Sequence, residues 1–390
     1  MFDSTQPATT QSAISQPATT QSAISQPAIS QPVISQPAIS ILIPVYNVQD
    51  YLKECLDSVC AQTFGDFEAV CINDGSTDNS REIIENYVKT DARFRIINKS
   101  NSGYGASMNC GLDAAQGTYI AILESDDFLE PQTLKNLYDT IEEFDAEVVK
   151  ANCYFYWVSP RKKNVVYDLV PHTQTGRLIN PQNEHQIFYL KPAVWAALYR
   201  KSFLTTHDIR FCETPGASYQ DTAFNFKIWA NAQRAVFIKD AFVHYRQDNQ
   251  SSSVKSLDKV YYVCHEFAEM DRYVRERSMM ADWLMAVKCK MKFEVYLWNY
   301  ERLADEFQWE FLQRFATEMK EEVEQGHIDW RLFEDWNRYD LQSILHSPDD
   351  YHHKRLAAGR DKFGKALYYL KSGGVFLIAK VIRSKLFHRY

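Results

Sequence analysis

TYIAILESDDF, residues 118–128, runs from strand character straight into acid. Tyr119 to Leu123 reads as a short apolar strand, and Glu124, Asp126 and Asp127 crowd its end. Ser125-Asp126-Asp127 would end a strand simply as turn formers. Three carboxylates within four positions also repel one another across a few ångström. A divalent cation carrying a diphosphate removes that repulsion, and hard oxygen ligands suit Mg²⁺ or Mn²⁺. Taken alone, the stretch reads equally as a solvated acidic loop.

Its neighbours narrow the choice. Ile39 to Tyr46 is a continuous apolar strand of the kind covered on both faces. Helical spacing follows from Gln49 to Ala61, with Tyr51, Leu52, Cys55, Leu56 and Val59 on one face. Phe67–Ile72 and Phe94–Asn98 read as further strands, and Asn79–Lys89 and Tyr104–Ala115 as helices. Beyond the acids, Pro131 opens a helix to Phe144, and Glu147–Trp157 is another apolar strand. Strand and helix alternate with short connections, which predicts an α/β fold with a mostly parallel sheet flanked by helices. In such sheets ligands bind beyond the carboxyl ends of the strands. Four polar clusters fall at those ends: Pro44 to Asn47, Asn73 to Ser76, Asn98 to Gly105, and Glu124 to Asp127. Together they predict a polar, charged ligand.

Two clusters have ordinary readings beside the functional ones. Asp74-Gly75 makes an Asx turn, or Asp74 accepts a hydrogen bond from a base or ribose while Asp78 caps the next helix. Asn101 to Gly105 supplies glycines and a helix start, where free N–H groups favour anions. Gly103-x-Gly105 lacks the third glycine of a dinucleotide fingerprint and follows the third strand instead of the first.

The chain has 390 residues, 45% hydrophobic and 14% aromatic, enough for one large domain or two ordinary ones. A net charge of −7 argues against general nucleic-acid binding. Eight cysteines without metal-ligand spacing, and the lack of a signal peptide, read as reduced thiols of a cytoplasmic protein. No apolar run approaches the length of a membrane span. From Tyr351 onward the charge is +9, against −16 for the rest.

ISILIPVYNVQDYLKECLDSV, VCINDGSTDNS and NSGYGASMNCGLDAAQGTYIAILESDDF together resemble a family 2 glycosyltransferase of the GT-A fold, over roughly Ser40 to Arg246. The resemblance implies that Pro44, Val45, Tyr46, Asn47 and Asp74 hold the nucleotide of a sugar donor, with Asn101 and Gly105 on the same edge. Glu124-Ser125-Asp126 would be the DxD motif, with Asp126 on a Mn²⁺ or Mg²⁺ ion that bridges the diphosphate. Glu124 stands where Asp is usual, and its longer side chain still reaches a ribose or a metal-bound water. Asp221, in SYQDTAF, would be the catalytic base; its alternative is the N-cap of a helix over Thr222–Ala230. His244 would complete the metal's coordination and Arg246 would pair with the diphosphate, while a structural role is the alternative for His244. Trp195 would stack on a sugar or sit in the core.

The predicted organisation is a disordered or PPII-like repeat over 1–38, where Pro recurs at 7, 17, 27, 32 and 37. A GT-A domain over 39–255, a helical region over 256–350 and a basic tail over 351–390 follow. Within the tail, Val375, Ile378, Ala379, Ile382 and Leu386 share a helical face with Lys380, Arg383, Lys385 and Arg389 interspersed. That pattern suits an anionic bilayer surface, or a packing helix with a solvated basic face. The expectation is an inverting transferase at the cytoplasmic face of the inner membrane, moving a sugar, from a UDP-sugar by preference, to a surface glycan or lipid-linked acceptor. Its rivals are a nucleotidyltransferase, for which no basic triphosphate loop is present near Asn47, and a catalytically inactive nucleotide-sugar binder or scaffold.

Overall fold

Every residue of β1 (Ile39–Val45) and β2 (Phe67–Asp74) is buried, as apolar strands covered on both faces require. The computed structural model describes residues 36–249, 259–278, 281–359, 363–370, 374–375 and 378–379. The repeat before residue 36 and the helical face expected from Gly374 to Tyr390 lie outside those residues, apart from four positions. The chain from Gln36 onward forms one compact unit.

β1 pairs in parallel with β2 and with β4 (Tyr119–Ile122), and β2 with β3 (Phe94–Lys99). Pro44 is tolerated in this central strand because of where β4 stops. Leu42 O accepts the last bond from β4, given by Leu123 N, and two residues on, the missing Pro44 N–H faces the side that β4 has left. Helices α1 (Gln49–Cys60), α2 (Ser80–Thr90) and α3 (Tyr104–Ala114) make the crossovers. β6 (Val148–Trp157) runs parallel to β4 but does not touch it. β9 (Ala197–Arg200), which carries no strand signal in the sequence, inserts antiparallel between them. β10 (Ala235–Arg246) then pairs in parallel with β6 and antiparallel with β5 (Phe128–Leu129). Two short strands at the margins, β7 (Lys163–Tyr167) on β6 and β8 (Leu178–Ile179) on β10, are also antiparallel. The sheet is therefore mixed beyond β4, where the alternation alone predicts parallel neighbours.

Helix α4 (Thr133–Glu143) covers β6, and the short α5 (Lys201–Thr206) follows β9. Eleven of the twelve residues of α6 (Gln220–Asn231), all but Asp221, are buried, because sheet and helices press on it from opposite sides. The later helices are α7 (Tyr262–Glu276), α8 (Asp282–Arg302), α9 (Asp305–Glu324), α10 (Asp335–His346) and α11 (Pro348–Ala358). Phe267, Tyr296, Phe311 and Phe315 pack as an aromatic core between α7, α8 and α9, with ring centroids 5.4–6.3 Å apart. The start of the basic tail is docked on these helices: Tyr351, Tyr368 and Tyr369 are buried, and Tyr369 donates to Asp340 at 2.6 Å. Among the described residues no helix is long and apolar enough to cross a membrane.

Candidate functional site

The loops after β1 and β2 are tied to one another before any ligand is considered. Asn47, at φ +50°, gives its N–H to Ser76 Oγ at 3.1 Å, and its Oδ1 accepts from Thr77 N at 2.8 Å. Asp78 accepts from Ser80 N and Gln49 N, both at 3.0 Å, so it braces the starts of α1 and α2 together. Pro44 and Val45 are buried in the floor beneath Tyr46, whose ring is 52% exposed.

Asp74 differs from its expected role. It is 5% exposed, and its carboxylate accepts from Ser102 N at 2.9 Å, from Gly103 N at 3.0 Å and from Lys99 Nζ. It holds the loop after β3 in shape and does not present a free acceptor. Asn101 is exposed on that loop. Gly105 is needed for packing: a Cβ there would lie 2.0 Å from the carbonyl oxygen of Cys212. At the start of α3 the N-cap and first N–H groups are taken, Gly103 N by Asp74 and Tyr104 N by Gly216 O at 2.9 Å.

The acids after β4 form the electrostatic centre. Glu124 receives a 2.7 Å bond from Tyr104 OH, and Asp127 N bonds back to Glu124 O at 3.0 Å to close the turn. Asp126 Oδ2 accepts from Asn249 Nδ2 at 2.8 Å. Ser125 is buried within the turn. Asp127 is almost wholly buried; its Oδ1 accepts from Arg246 N at 2.8 Å, and its Oδ2 has no partner. Burial pushes the Glu124 carboxyl up to about 8, with the charges of Asp126 and Asp221 adding to the effect against the Tyr104 hydrogen bond. Burial, then the Asp126 charge, raises Asp127 well above the carboxylate range.

Arg246 reaches this loop, but as a brace. Its Nε donates to Asp126 O at 2.9 Å and its Nη2 pairs with Glu54, while the guanidinium lies over Tyr51 and Tyr156, 4.8 and 5.1 Å from the ring centroids. With a side chain 3% exposed, it is committed to holding the acids in place and is not presented to a diphosphate.

His244 is not brought to the acids as a metal ligand. Its ring stacks between Phe128 and Tyr154, at 4.2 and 4.7 Å, and its nitrogens face Asn164 Oδ1 at 3.1 Å and Glu130 Oε1 at 2.8 Å. It is a structural histidine of the β5–β10 pairing. Trp195 is 8% exposed and stacks on Tyr245 at 4.9 Å, so it is a core aromatic and not a sugar platform.

Asp221 is the second residue of α6; Tyr219 is the cap, so the capping alternative for Asp221 does not apply. Tyr219 holds a left-handed conformation, φ +66° and ψ −1°, rare for a residue with a Cβ. Burial raises the Asp221 carboxyl to about 6 against the opposing pull of Lys191, Thr222 and Lys150.

Three neighbours were not singled out by sequence reasoning. Tyr104 is adjacent to motif residues and carried a weak signal. Lys150 interrupts an apolar strand, a recognisable anomaly: it is 1% exposed, donates to Ala193 O at 2.7 Å, and burial drops its pKa to about 7. Lys191 comes from a loop with no pattern, and its ammonium lies 4.9 Å over Tyr245 and 5.2 Å over Phe155.

The donor set can be tested for a cation. Among the described residues no three His, Cys, Asp or Glu side chains are grouped to hold an ion by themselves. Glu124, Asp126, Asp127 and Asp221 nevertheless act on one another, and Asp127 keeps one carboxylate oxygen without a partner. That fits a hard divalent ion held by one or two carboxylates, with phosphate oxygens and water supplying the remaining ligands.

The sequence profile described as Glycosyl transferase family 2 matches residues 40–204. EpsJ of Bacillus subtilis (strain 168), an uncharacterized glycosyltransferase, is 29% identical over 67% of this chain and 75% of its own length. The glycosyltransferase GlyG of Streptococcus pneumoniae is 30% identical over 54% of this chain and 71% of its own. The crystal structure of Staphylococcus aureus TarS residues 1–349 in complex with UDP-GlcNAc superposes with a TM-score of 0.63 at 20% identity, covering 81% of this chain and 90% of that one. With a GT-A-like sheet, acids at its carboxyl edge and these relatives, the chain belongs to glycosyl transferase family 2 and is a glycosyltransferase.

Proposed function

We propose that the enzyme moves a sugar from a nucleoside-diphosphate sugar to a hydroxyl of a surface glycan in one inverting displacement. The observation that carries this reading is the pairing of two kinds of acid at one sheet edge: the Glu124–Asp127 turn, held by Arg246, and Asp221 at the start of α6. Asp221, tuned to about 6, can be ionised at neutral pH and still accept a proton. The acceptor O–H would give its proton to Asp221 as its oxygen bonds to C1, while the C1–O bond to the diphosphate breaks and the nucleoside diphosphate leaves. Asp126, with Glu124, would hold Mn²⁺ or Mg²⁺, which when bound offsets charge growing on the diphosphate. Pro44 to Asn47 and Asn101 line the edge where the nucleotide would lie, with Asp74 shaping the loop beneath it.

TarS, 27% identical over 62% of this chain, is a poly(ribitol-phosphate) β-N-acetylglucosaminyltransferase with a structure in complex with UDP-GlcNAc, which supports a UDP-sugar donor and a polymer acceptor. A basic terminal tail supports work beside an anionic membrane at the cytoplasmic face. A panel of nucleotide sugars, scored for donor hydrolysis and transfer with and without Mn²⁺, tests the reading. UDP-sugars are expected to be turned over in a metal-dependent way. A product retaining the donor's anomeric configuration would exclude the single displacement.

A further inference from the structure

Behind Asp221 the chain leads to a polar cavity lined, among the described residues, by the C-terminal helices. Tyr219, two residues before Asp221, donates its OH to Asn299 Oδ1 at 2.6 Å and accepts from Arg302 Nε at 2.7 Å, both partners on the last turn of α8. The Arg302 guanidinium lies between two rings, 5.3 Å from Tyr219 and 5.2 Å from Trp298. Trp298 is 46% exposed, so part of its indole is open to a ligand. From this platform opens a cavity of about 290 Å³, bordered by Trp298, Arg302, Arg355 and Lys365.

Its charge is one-sided. Three cations border it, and Glu301 is the only acid among the described residues that line it. Glu301 is already shared by Arg355 Nη2 and Lys365 Nζ. Arg355 is 7% exposed, and its Nη1 is buried without an acceptor. That nitrogen is closed to solvent and feels the buried Asp340, so it is Arg302 and the 31% exposed Lys365 that turn positive charge toward the cavity, where an oxyanion would offset it. An indole face beside it suits the apolar side of a sugar ring.

We propose that this cavity is an acceptor subsite for an anionic glycan, with Lys365 and Arg302 binding a phosphate or carboxylate group and Trp298 stacking on the adjoining sugar or polyol. The assignment rests on the transferase reading above and extends it to the chemical class of the acceptor. It also gives the strained turn at Tyr219 a purpose: an acceptor seated against Arg302 meets the same hydrogen bonds that hold the start of α6, and with it Asp221.

The test is calorimetric titration of the full chain with three oligomers of equal length: poly(ribitol phosphate), a uronate-containing oligosaccharide and neutral oligoglucose, with UDP as a separate ligand. At least one anionic oligomer is expected to bind about tenfold more tightly than the neutral one. That advantage should be lost in Lys365→Gln, and binding should weaken about tenfold in Trp298→Ala, with UDP affinity and melting temperature unchanged in both. The two anionic arms separate phosphate from carboxylate as the group recognised. Equal binding of neutral and anionic oligomers, or variants that bind the anionic oligomers like the wild type, would overturn the proposal. Wild-type protein that binds an anionic oligomer but not UDP would instead overturn the donor reading and leave the cavity's anion binding standing.

Discussion

Asp221 shows how one residue is tuned by opposing forces. Burial raises its carboxyl, and Lys191, Thr222 and Lys150 pull it back to about 6. Asp221→Asn keeps the shape and cannot take a proton, so turnover should fall by roughly 10²–10⁴ with UDP binding retained. Steady-state rates and calorimetry on the variant check this; normal turnover would send the search to another base. A base must be unprotonated to act, so the wild-type rate should fall as pH drops through about 6 and level off above it. Removing the Lys191 cation leaves the carboxylate less favoured, so Lys191→Gln should move that acid limb to higher pH. An unmoved limb in the pH–rate profile would separate Lys191 from the base. Asp221 could be picked out in the sequence through its motif. Lys150 stood out only as a cation in an apolar strand and nothing marked Lys191, because their distance from Asp221 is set by the tertiary fold, which local pattern does not encode.

At the level of elements, the acidic turn after β4 is held by the end of β10, more than a hundred residues later. Arg246 bonds the turn through its own N–H and its Nε, and pairs with Glu54 on α1. Arg246→Gln removes a buried cation facing Asp127, whose remaining oxygen already lacks a partner. A stability loss of about 2 kcal/mol is expected, on the scale of hydrogen bonds to charged groups. Urea denaturation measures it, and an unchanged midpoint would mean that the turn holds itself. The strands buried on both faces were legible because apolar runs bounded by turn formers have few other readings. β9 was not: its four residues carry no alternation, and only the gap between β4 and β6 makes them a strand.

Across the whole molecule, the division expected at residue 255, where the family likeness gives way to a helical pattern, lies outside the described residues, and contacts join the elements on its two sides. Ala223 N donates to Glu266 at 3.2 Å, Lys227 pairs with Glu269 at 2.6 Å, and Asn231 donates to Tyr273 at 2.8 Å, so α7 completes the environment of α6. A chain ending at residue 258 would leave Lys227, 2% exposed, without its carboxylate. It should therefore lose cooperative thermal unfolding and UDP binding together. A truncated protein that melts cooperatively and binds UDP would show that the sheet half stands alone.

By itself the sequence determined the α/β architecture and the acid-rich strand end, because apolar runs, turn formers and clustered carboxylates act over a few residues. Only the tertiary structure decided which polar residues are free to act. Asp74, Arg246 and His244 carry the residue types expected of ligand contacts, yet their hydrogen bonds are taken by Ser102 and Gly103, by Asp126, and by Asn164 and Glu130. A side chain's chemistry is written in its own residue, but its availability depends on partners that only the folded chain brings within 3 Å.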